Sequence, residues 1–447
     1  MRRVPPLLVS CLLLGATAAP AQAPSPAAPS ATAPAGSLAL ASLPDEDSLA
    51  SRLWERSPEF TTARARVASA RAERVRAGLL PNPELGLGAN TLPLGPTNPP
   101  GLHRLTEVPN FSVGLSQLIE LGKRAPRQDA ARAALASTAL EVQAQLRART
   151  QDVLERVAEV ATVEVRLAEL ERLAGDAARL TELQRARAQR GDTAGLDADR
   201  ALLEEAQLQE QLAAERHRLA EALLECARTA GLACVPFGGP EAAAGFLATR
   251  LSNPPPATGV EQRPDLRALE AQQRGAQAAL TLARRRWIPD PTVRAGYVYD
   301  QFVISGNQLH SVGLNLSIPL PVFDRGQADA LAASASAEAA ARTHAWLTAQ
   351  AQRELTALAA QHGAMEARRT RMRTQTLPQA TQLVQRLEAA VKAGGASMLE
   401  LLLARRTYGQ LLLEAAELDL SAFRVAVAME RVSAGGPTPP RELSQHF

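Results

Sequence analysis

Two acidic residues occupy matching places in the chain. Asp197 follows Gly191 by six positions, and Glu400 follows Gly394 by six. A glycine gives the backbone freedom to reverse after a helix, and an acid in the first turn of the next helix is favoured by its dipole. Arg294 and Asp300 fall on the polar positions of an alternating segment, where they would meet water rather than apolar surface. Cys226 and Cys234, eight positions apart, form either a local disulfide near a helix end or two buried thiols. The histidines, His103, His217, His310, His344, His362 and His446, show no metal-ligand spacing. Met365 and Met372, seven apart, fit a helical seam better than a metal path. No catalytic triad, phosphate loop, paired catalytic carboxylates or zinc motif is present, so the expectation is a protein that is not an enzyme and takes no cofactor or metal.

The elements that position these residues must be unusual ones. Of the 447 residues, 46% are hydrophobic but only 3% aromatic. The 3 Tyr, 3 Trp and 8 Phe are too few to fill several ordinary globular cores. Ala, Leu and Val with Arg, Glu and Gln point instead to long helices and coiled coils. A net charge of +3 carries no nucleic-acid signature.

Residues 1–23 read as a secretory signal: Arg2 and Arg3 precede an apolar run from Val4 to Leu14, and small residues allow cleavage after Ala18, Ala21 or Ala23. Leu8-Val9-Ser10-Cys11 only partly resembles a lipoprotein box, because the apolar run continues past Cys11. No other apolar stretch approaches the roughly 20 residues of a spanning helix.

The sequence is internally duplicated. Leu80-Pro81-Asn82-Pro83 recurs as Ile288-Pro289-Asp290-Pro291, and Val113-Gly114-Leu115-Ser116 as Val312-Gly313-Leu314-Asn315. Ser57-Pro58-Glu59-Phe60 returns as Arg263-Pro264-Asp265-Leu266, and the glycine-acid turns complete the series at a spacing of roughly 200 residues. The resulting division is a Pro/Ala-rich linker over 24–43, a first repeat over 44–232, an inter-repeat segment over 233–259, a second repeat over 260–433 and a Pro-rich tail over 434–447. Both the linker and the tail read as poorly ordered.

Each repeat holds a helix, a Pro-x-Pro break, a β-hairpin (about 84–120 and 291–320), a very long helix and a return helix. Leu146, Val153, Val160 and Leu167 step by sevens, as do Leu358, Met365 and Met372, giving coiled-coil seams. Gly175 and Pro378 correspond, so a bend is expected at the same height in both copies.

Four strands with one apolar and one polar face cannot span a membrane alone, because their outer edges would be unpaired. Several chains would have to share one barrel. A periplasmic coiled-coil adaptor with a small soluble β-domain is the alternative. The repeat plan, with Leu79-Leu80-Pro81-Asn82-Pro83-Glu84-Leu85, Ile119-Glu120-Leu121-Gly122-Lys123-Arg124 and Ile318-Pro319-Leu320-Pro321-Val322-Phe323-Asp324-Arg325, resembles the TolC-type outer-membrane efflux proteins, in particular their CzcC-like heavy-metal branch.

The resemblance implies a mainly helical homotrimer with one twelve-stranded outer-membrane β-barrel, set in lipid and continued by a periplasmic α-helical barrel. It implies a periplasmic adaptor and an inner-membrane resistance–nodulation–division pump as partners, an equatorial position for the inter-repeat segment, and export of metal cations, with drugs or proteins as alternative cargo. It also implies that the turns at Gly191, Asp197, Gly394, Gly395 and Glu400 form the periplasmic tip and dock the adaptor. Glu400 and Leu403 would then border the constriction, and Arg294 and Asp300 the barrel lumen. Leu403, Val391 and Ala396 replace polar groups of the family's closing network, so closure by apolar packing is expected.

Overall fold

The computed structural model describes residues 37–190, 195–252, 259–302 and 308–445. Element order follows the duplication. The first repeat contains α1 (Glu46–Arg56), α2 (Pro58–Gly78), β2 (Glu84–Asn90), β3 (Asn110–Leu118), α3 (Arg124–Gln189) and α4 (Gly195–Ala230), preceded by a short β1 (Ser37–Ala39). Between the repeats lie β4 (Ala233–Val235) and α5 (Pro240–Ser252). The second repeat contains α6 (Pro264–Arg284), β5 (Thr292–Asp300), β6 (His310–Ser317), α7 (Gln327–Arg371), a π-helical turn (Met372–Thr376), α8 (Leu377–Lys392) and α9 (Met398–Val432), followed by α10 (Arg441–Ser444).

The four long strands form one antiparallel sheet in the order β2-β3-β5-β6. Each strand is joined to one helix, and the helices keep the same order, with α2 against α3, α3 against α6, and α6 against α7. At the other end the neighbours become α4, α3, α9 and α8. The first long helix is therefore central along its whole length. Its seam residues Leu146, Val153 and Val160 are fully or almost fully buried, and Leu167 packs at the edge of a second cluster.

The two copies differ at the expected bend. α3 runs through Gly175 without a break, whereas the second copy is interrupted at Met372–Thr376. Proline at 378 lacks the N–H that would bond one turn back. The ladder shifts there to a longer step, with the Leu377 N–H donating to the Met372 carbonyl.

The described parts of two segments expected to be loose, residues 37–43 and 434–445, are packed. Leu38 and Leu40 are buried, and β1 pairs in parallel with β4 through Ser37–Ala233, Leu38–Cys234 and Ala39–Val235. At the other terminus Leu443 is fully buried, Trp54 Nε1 donates to Glu442 Oε2 at 3.2 Å, and the Thr438 N–H donates to Asp47 Oδ1 at 2.7 Å. Composition suggested disorder because Pro, Ala and Ser dominate the linker and Pro and Gly recur in the tail. A few leucines at the right places outweigh that bias.

The junction between sheet and helices is fixed by the motif residues themselves. Glu120 pairs with Arg127, whose guanidinium also donates to the carbonyls of Ala77 and Leu79. Asp290 of the second Pro-x-Pro accepts from Lys123 Nζ at 2.7 Å and from the Leu121 N–H at 3.0 Å, tying one repeat to the other. Gly326, with φ +81°, caps the start of α7, and a Cβ there would run into the Ala283 carbonyl. Only glycine fits that approach.

Candidate functional site

The register of the sheet sorts its side chains into two faces. One face carries the rows Leu85-Leu115-Ala295-Leu314, Leu87-Val113-Tyr297-Val312 and Ala89-Phe111-Tyr299-His310. It is apolar but open, with Leu87 76% and Val312 83% exposed. A contiguous apolar face of this size marks an interaction surface, and strands of seven to nine residues reach about 25 Å, the height of a lipid-facing band. The Tyr297 hydroxyl is hydrogen-bonded to His310 Nδ1, and the Tyr299 and His310 rings lie 5.5 Å apart, so the aromatic groups gather at the loop end. At the opposite end Trp287 and Phe323 are exposed, Phe323 by 90%. Exposed aromatics thus lie beyond both ends of the strands.

The other face carries Glu84-Ser116-Arg294-Asn315, then Gly86-Gly114-Gly296-Gly313, then Gly88-Ser112-Val298-Ser311. Arg294 and Asp300 both belong to it. Arg294 lies across the glycine row, with its Nε over Gly114 and its Nη2 over Gly86, each 3.1 Å from where a Cβ would stand. Asp300 sits at the strand end, and its Oδ1 accepts the Phe302 N–H at 3.1 Å.

At the far end of the molecule the second helical turn is closed by its own backbone. Gly394, with φ +76°, sends its N–H to the Val391 carbonyl at 3.2 Å, and Gly395 sends its N–H to the Ala390 carbonyl at 2.8 Å. That is a Schellman stop. Ser397 then starts α9, with its Oγ accepting the Glu400 N–H at 3.2 Å while the Glu400 carboxylate accepts the Ser397 N–H at 3.0 Å. This reciprocal cap fully accounts for an acid at position 400. Leu403 is exposed on the next turn, on the same helix stripe as the exposed Leu399. In the first turn Asp197 lies at the start of α4, 3.4 Å from Arg200, and Gly191 lies outside the described residues.

Cys226, at the end of α4, and Cys234, in β4, are joined by a disulfide. Next to it, the buried Glu164 carboxylate of α3 accepts the Phe237 N–H at 2.8 Å. Burial pushes the Glu164 pKa up, against the opposing pull of the backbone N–H groups of residues 237–239.

Sequence reasoning missed an ionic cluster at the end of α9. Arg250 of α5 bridges Glu46 and Glu430, and Arg147 of α3 donates to the Glu430 and Ser433 carbonyls. Glu430 is 2% exposed, and burial together with the neighbouring Glu46 carboxylate pushes its pKa up to about 7. The only prior signal was an acid on an otherwise apolar helix stretch. Among the described residues, no group of three or more His, Cys, Asp or Glu side chains is arranged to hold a metal ion, and no helix is long and apolar enough to cross a membrane.

Residues 259–433 match the family model of outer membrane efflux proteins. No curated protein matches the chain by sequence. Among solved structures, the outer membrane protein VceC of Vibrio cholerae superposes with a TM-score of 0.67 at 19% identity, covering 87% of this chain and 96% of that one. CusC superposes at 0.69 with 16% identity, over 87% and 91%. The chain has their fold. The open-state MtrE outer membrane channel of Neisseria gonorrhoeae is similar as well, at a TM-score of 0.62 and 16% identity over 88% and 89%. The match covers both repeats, so the duplicated helix–hairpin–helix plan is the shared unit.

Proposed function

We propose that the chain is the outer-membrane channel of a tripartite efflux system, a passive exit duct assembled from three copies. The observation that carries this reading is the open sheet: one face is apolar and exposed, and the outer edges of β2 and β6 have no partner strand among the described residues. Because β6 runs opposite to β2, β6 of one copy pairs antiparallel with β2 of the next, and three copies close twelve strands. The glycine- and serine-rich face then lines the lumen. The helical wall continues below as a tube, with the inter-repeat segment at its equator.

The tip turns, with Asp197, Gly394, Gly395 and Glu400, form the adaptor-docking end, and an inner-membrane pump of the resistance–nodulation–division type supplies the energy. Residues 1–23 act as the export signal. The proposed cargo is heavy-metal cations, on the strength of the CzcC-like motifs. The test is to express the full chain, extract it from outer membranes and record it in planar bilayers. A trimeric species with pore conductance is expected, and a monomer without conductance would sink the reading. For cargo, a deletion strain should become sensitive to metals rather than to drugs. The reverse pattern would assign the duct to a drug pump.

A further inference from the structure

Three stretches of chain meet where the sheet gives way to the helices. Gly326, before α7, lies against the end of α6, and a Cβ there would stand 3.0 Å from Arg286 Cβ. From the same end of α6, Arg285 Nη1 donates to the carbonyl of Gly122, in the turn that leads into α3. Residues 122–124, 284–290 and 323–329 together hold six cations, Lys123, Arg124, Arg284, Arg285, Arg286 and Arg325, against three carboxylates. Asp290 is taken by Lys123 at 2.7 Å, and Arg286 holds Asp329 at 2.6 Å with Asp324 at 3.8 Å. The adjoining Glu120 and Arg127 offset one another, and the first row of the sheet adds one charge of each sign, Glu84 and Arg294. Among the described residues, Arg124, Arg284, Arg285 and Arg325 form no ion pair with a carboxylate. Arg124 and Arg285 donate to the carbonyls of Gly78 and Gly122, which orients the two guanidiniums without neutralising them.

Apolar surface adjoins these cations. The alternation that puts Val312, Leu314 and Leu316 on the apolar face of β6 continues past the strand as Ile318, Leu320 and Val322, all exposed, and ends at the exposed Phe323. Exposed Trp287 follows Arg286 in the neighbouring turn. We infer that this junction binds the headgroup of an anionic phospholipid in the periplasmic leaflet, with the phosphate on Arg284 and Arg325, flanked by Arg124 and Arg285, and the acyl chains along the apolar run. The inference rests on the channel reading above, which puts the apolar band in lipid and the helices in the periplasm. A guanidinium grips a phosphate through two parallel N–H bonds and stays charged at every physiological pH. The phosphate supplies the negative charge that the fold does not give these four arginines. Aromatic rings settle at headgroup level, where Trp287 and Phe323 would stand. Each arginine beside an anionic lipid is worth about fivefold in affinity.

The test titrates purified full-length protein, delipidated in a non-ionic detergent, with phosphatidylglycerol, phosphatidylcholine and inorganic phosphate, and counts bound lipid by native mass spectrometry. Wild type should prefer phosphatidylglycerol by about tenfold or more, and an excess of inorganic phosphate should leave the lipid bound. The double variant Arg284→Gln/Arg325→Gln should lose most of that preference while keeping phosphatidylcholine binding and trimer yield. Arg185→Gln/Arg187→Gln, the same loss of charge at the far end of α3, should keep the preference. If trimer yield falls in the first double variant, Arg325→Gln alone carries the comparison. Equal affinity for the two lipids in wild type, an unchanged preference without Arg284 and Arg325, an equal loss in the distant variant, or displacement by inorganic phosphate would each overturn the site and leave the channel standing. Failure of the wild-type chain to enter vesicles of either lipid would instead bring down the channel reading.

Discussion

The long helix of the first repeat buries 24 of its residues, whereas its counterpart α7 buries four: Ala333, Ala340, Ala351 and Arg369. β6 is exposed along all eight residues, while β3, the inner strand of the first hairpin, has neighbours on both sides. The two copies share one plan, but the fold places the long helix of the first inside and that of the second at an edge, while α2 and β2 of the first copy form the opposite edge. In the proposed threefold closure the β6 edge would meet the β2 edge of another copy. The same division holds at the ends of the return helices. α4 is fastened by the Cys226–Cys234 disulfide, and α9 by the Arg250 bridge between Glu46 and Glu430.

The comparison is most exposed at the sheet. Leu115 and Leu314 lie in one row of the apolar face, the first on an inner strand and the second on the edge. If both hairpins face lipid, Leu115→Arg and Leu314→Arg should each cost about 2–4 kcal/mol per copy and abolish heat-resistant trimer in outer-membrane fractions. Trimer yield on gels after membrane fractionation is the measurement. Tolerance of Leu314→Arg alone would mean that the second hairpin does not meet lipid, and the equivalence of the repeats would fail.

How far these features were legible depends on their range. Alternation along each strand, the Pro-x-Pro breaks and the seven-residue seams are local patterns, and they placed both hairpins and the return helices within a few residues. The packing of Leu38 and Leu443 was hidden, because it depends on partners distant in sequence and the surrounding composition argued for disorder. The Arg250 bridge was hidden for the same reason: its three residues come from α1, α5 and α9. The corresponding bend at Gly175 and Pro378 was half legible. Proline forces a change in hydrogen bonding, while a glycine inside a well-packed helix merely permits one. The acid at position 400 was legible as a first-turn acid favoured by the helix dipole, but not its reciprocal bonds with Ser397, which make it part of a cap.

The two fastenings should respond to different conditions. Glu430 holds its proton up to about pH 7, well above the ordinary glutamate value of about 4.3. The native state therefore binds that proton more tightly than the unfolded chain does. The stability this provides is fully present below about pH 4.3 and is lost as pH rises through 7, an effect of at most about 4 kcal/mol. Thermal unfolding of the detergent-solubilised protein should shift downward between pH 5 and pH 8, and Glu430→Gln should flatten that dependence. Reducing the disulfide should lower stability equally at both pH values. A pH dependence that persists unchanged in Glu430→Gln would place the titrating group elsewhere and remove the contrast between the two helix ends.

The smallest expected effect separates two roles for one residue at the tip. Glu400 completes a cap with Ser397, and in a threefold assembly the same carboxylate would also face the constriction. Glutamine can still return the side-chain bond to the Ser397 N–H, whereas alanine cannot. Glu400→Ala should therefore cost about 1 kcal/mol in the stability of the hairpin, seen as faster amide exchange over residues 394–402, and Glu400→Gln a few tenths. A pore role adds a second signature. Block by trivalent cations from the tip side should be lost equally in both variants, because both remove the charge. If block survives in Glu400→Gln while exchange accelerates only in Glu400→Ala, the acid is a cap alone. The first turn, where Asp197 pairs with Arg200, then becomes the remaining candidate for negative charge at the constriction.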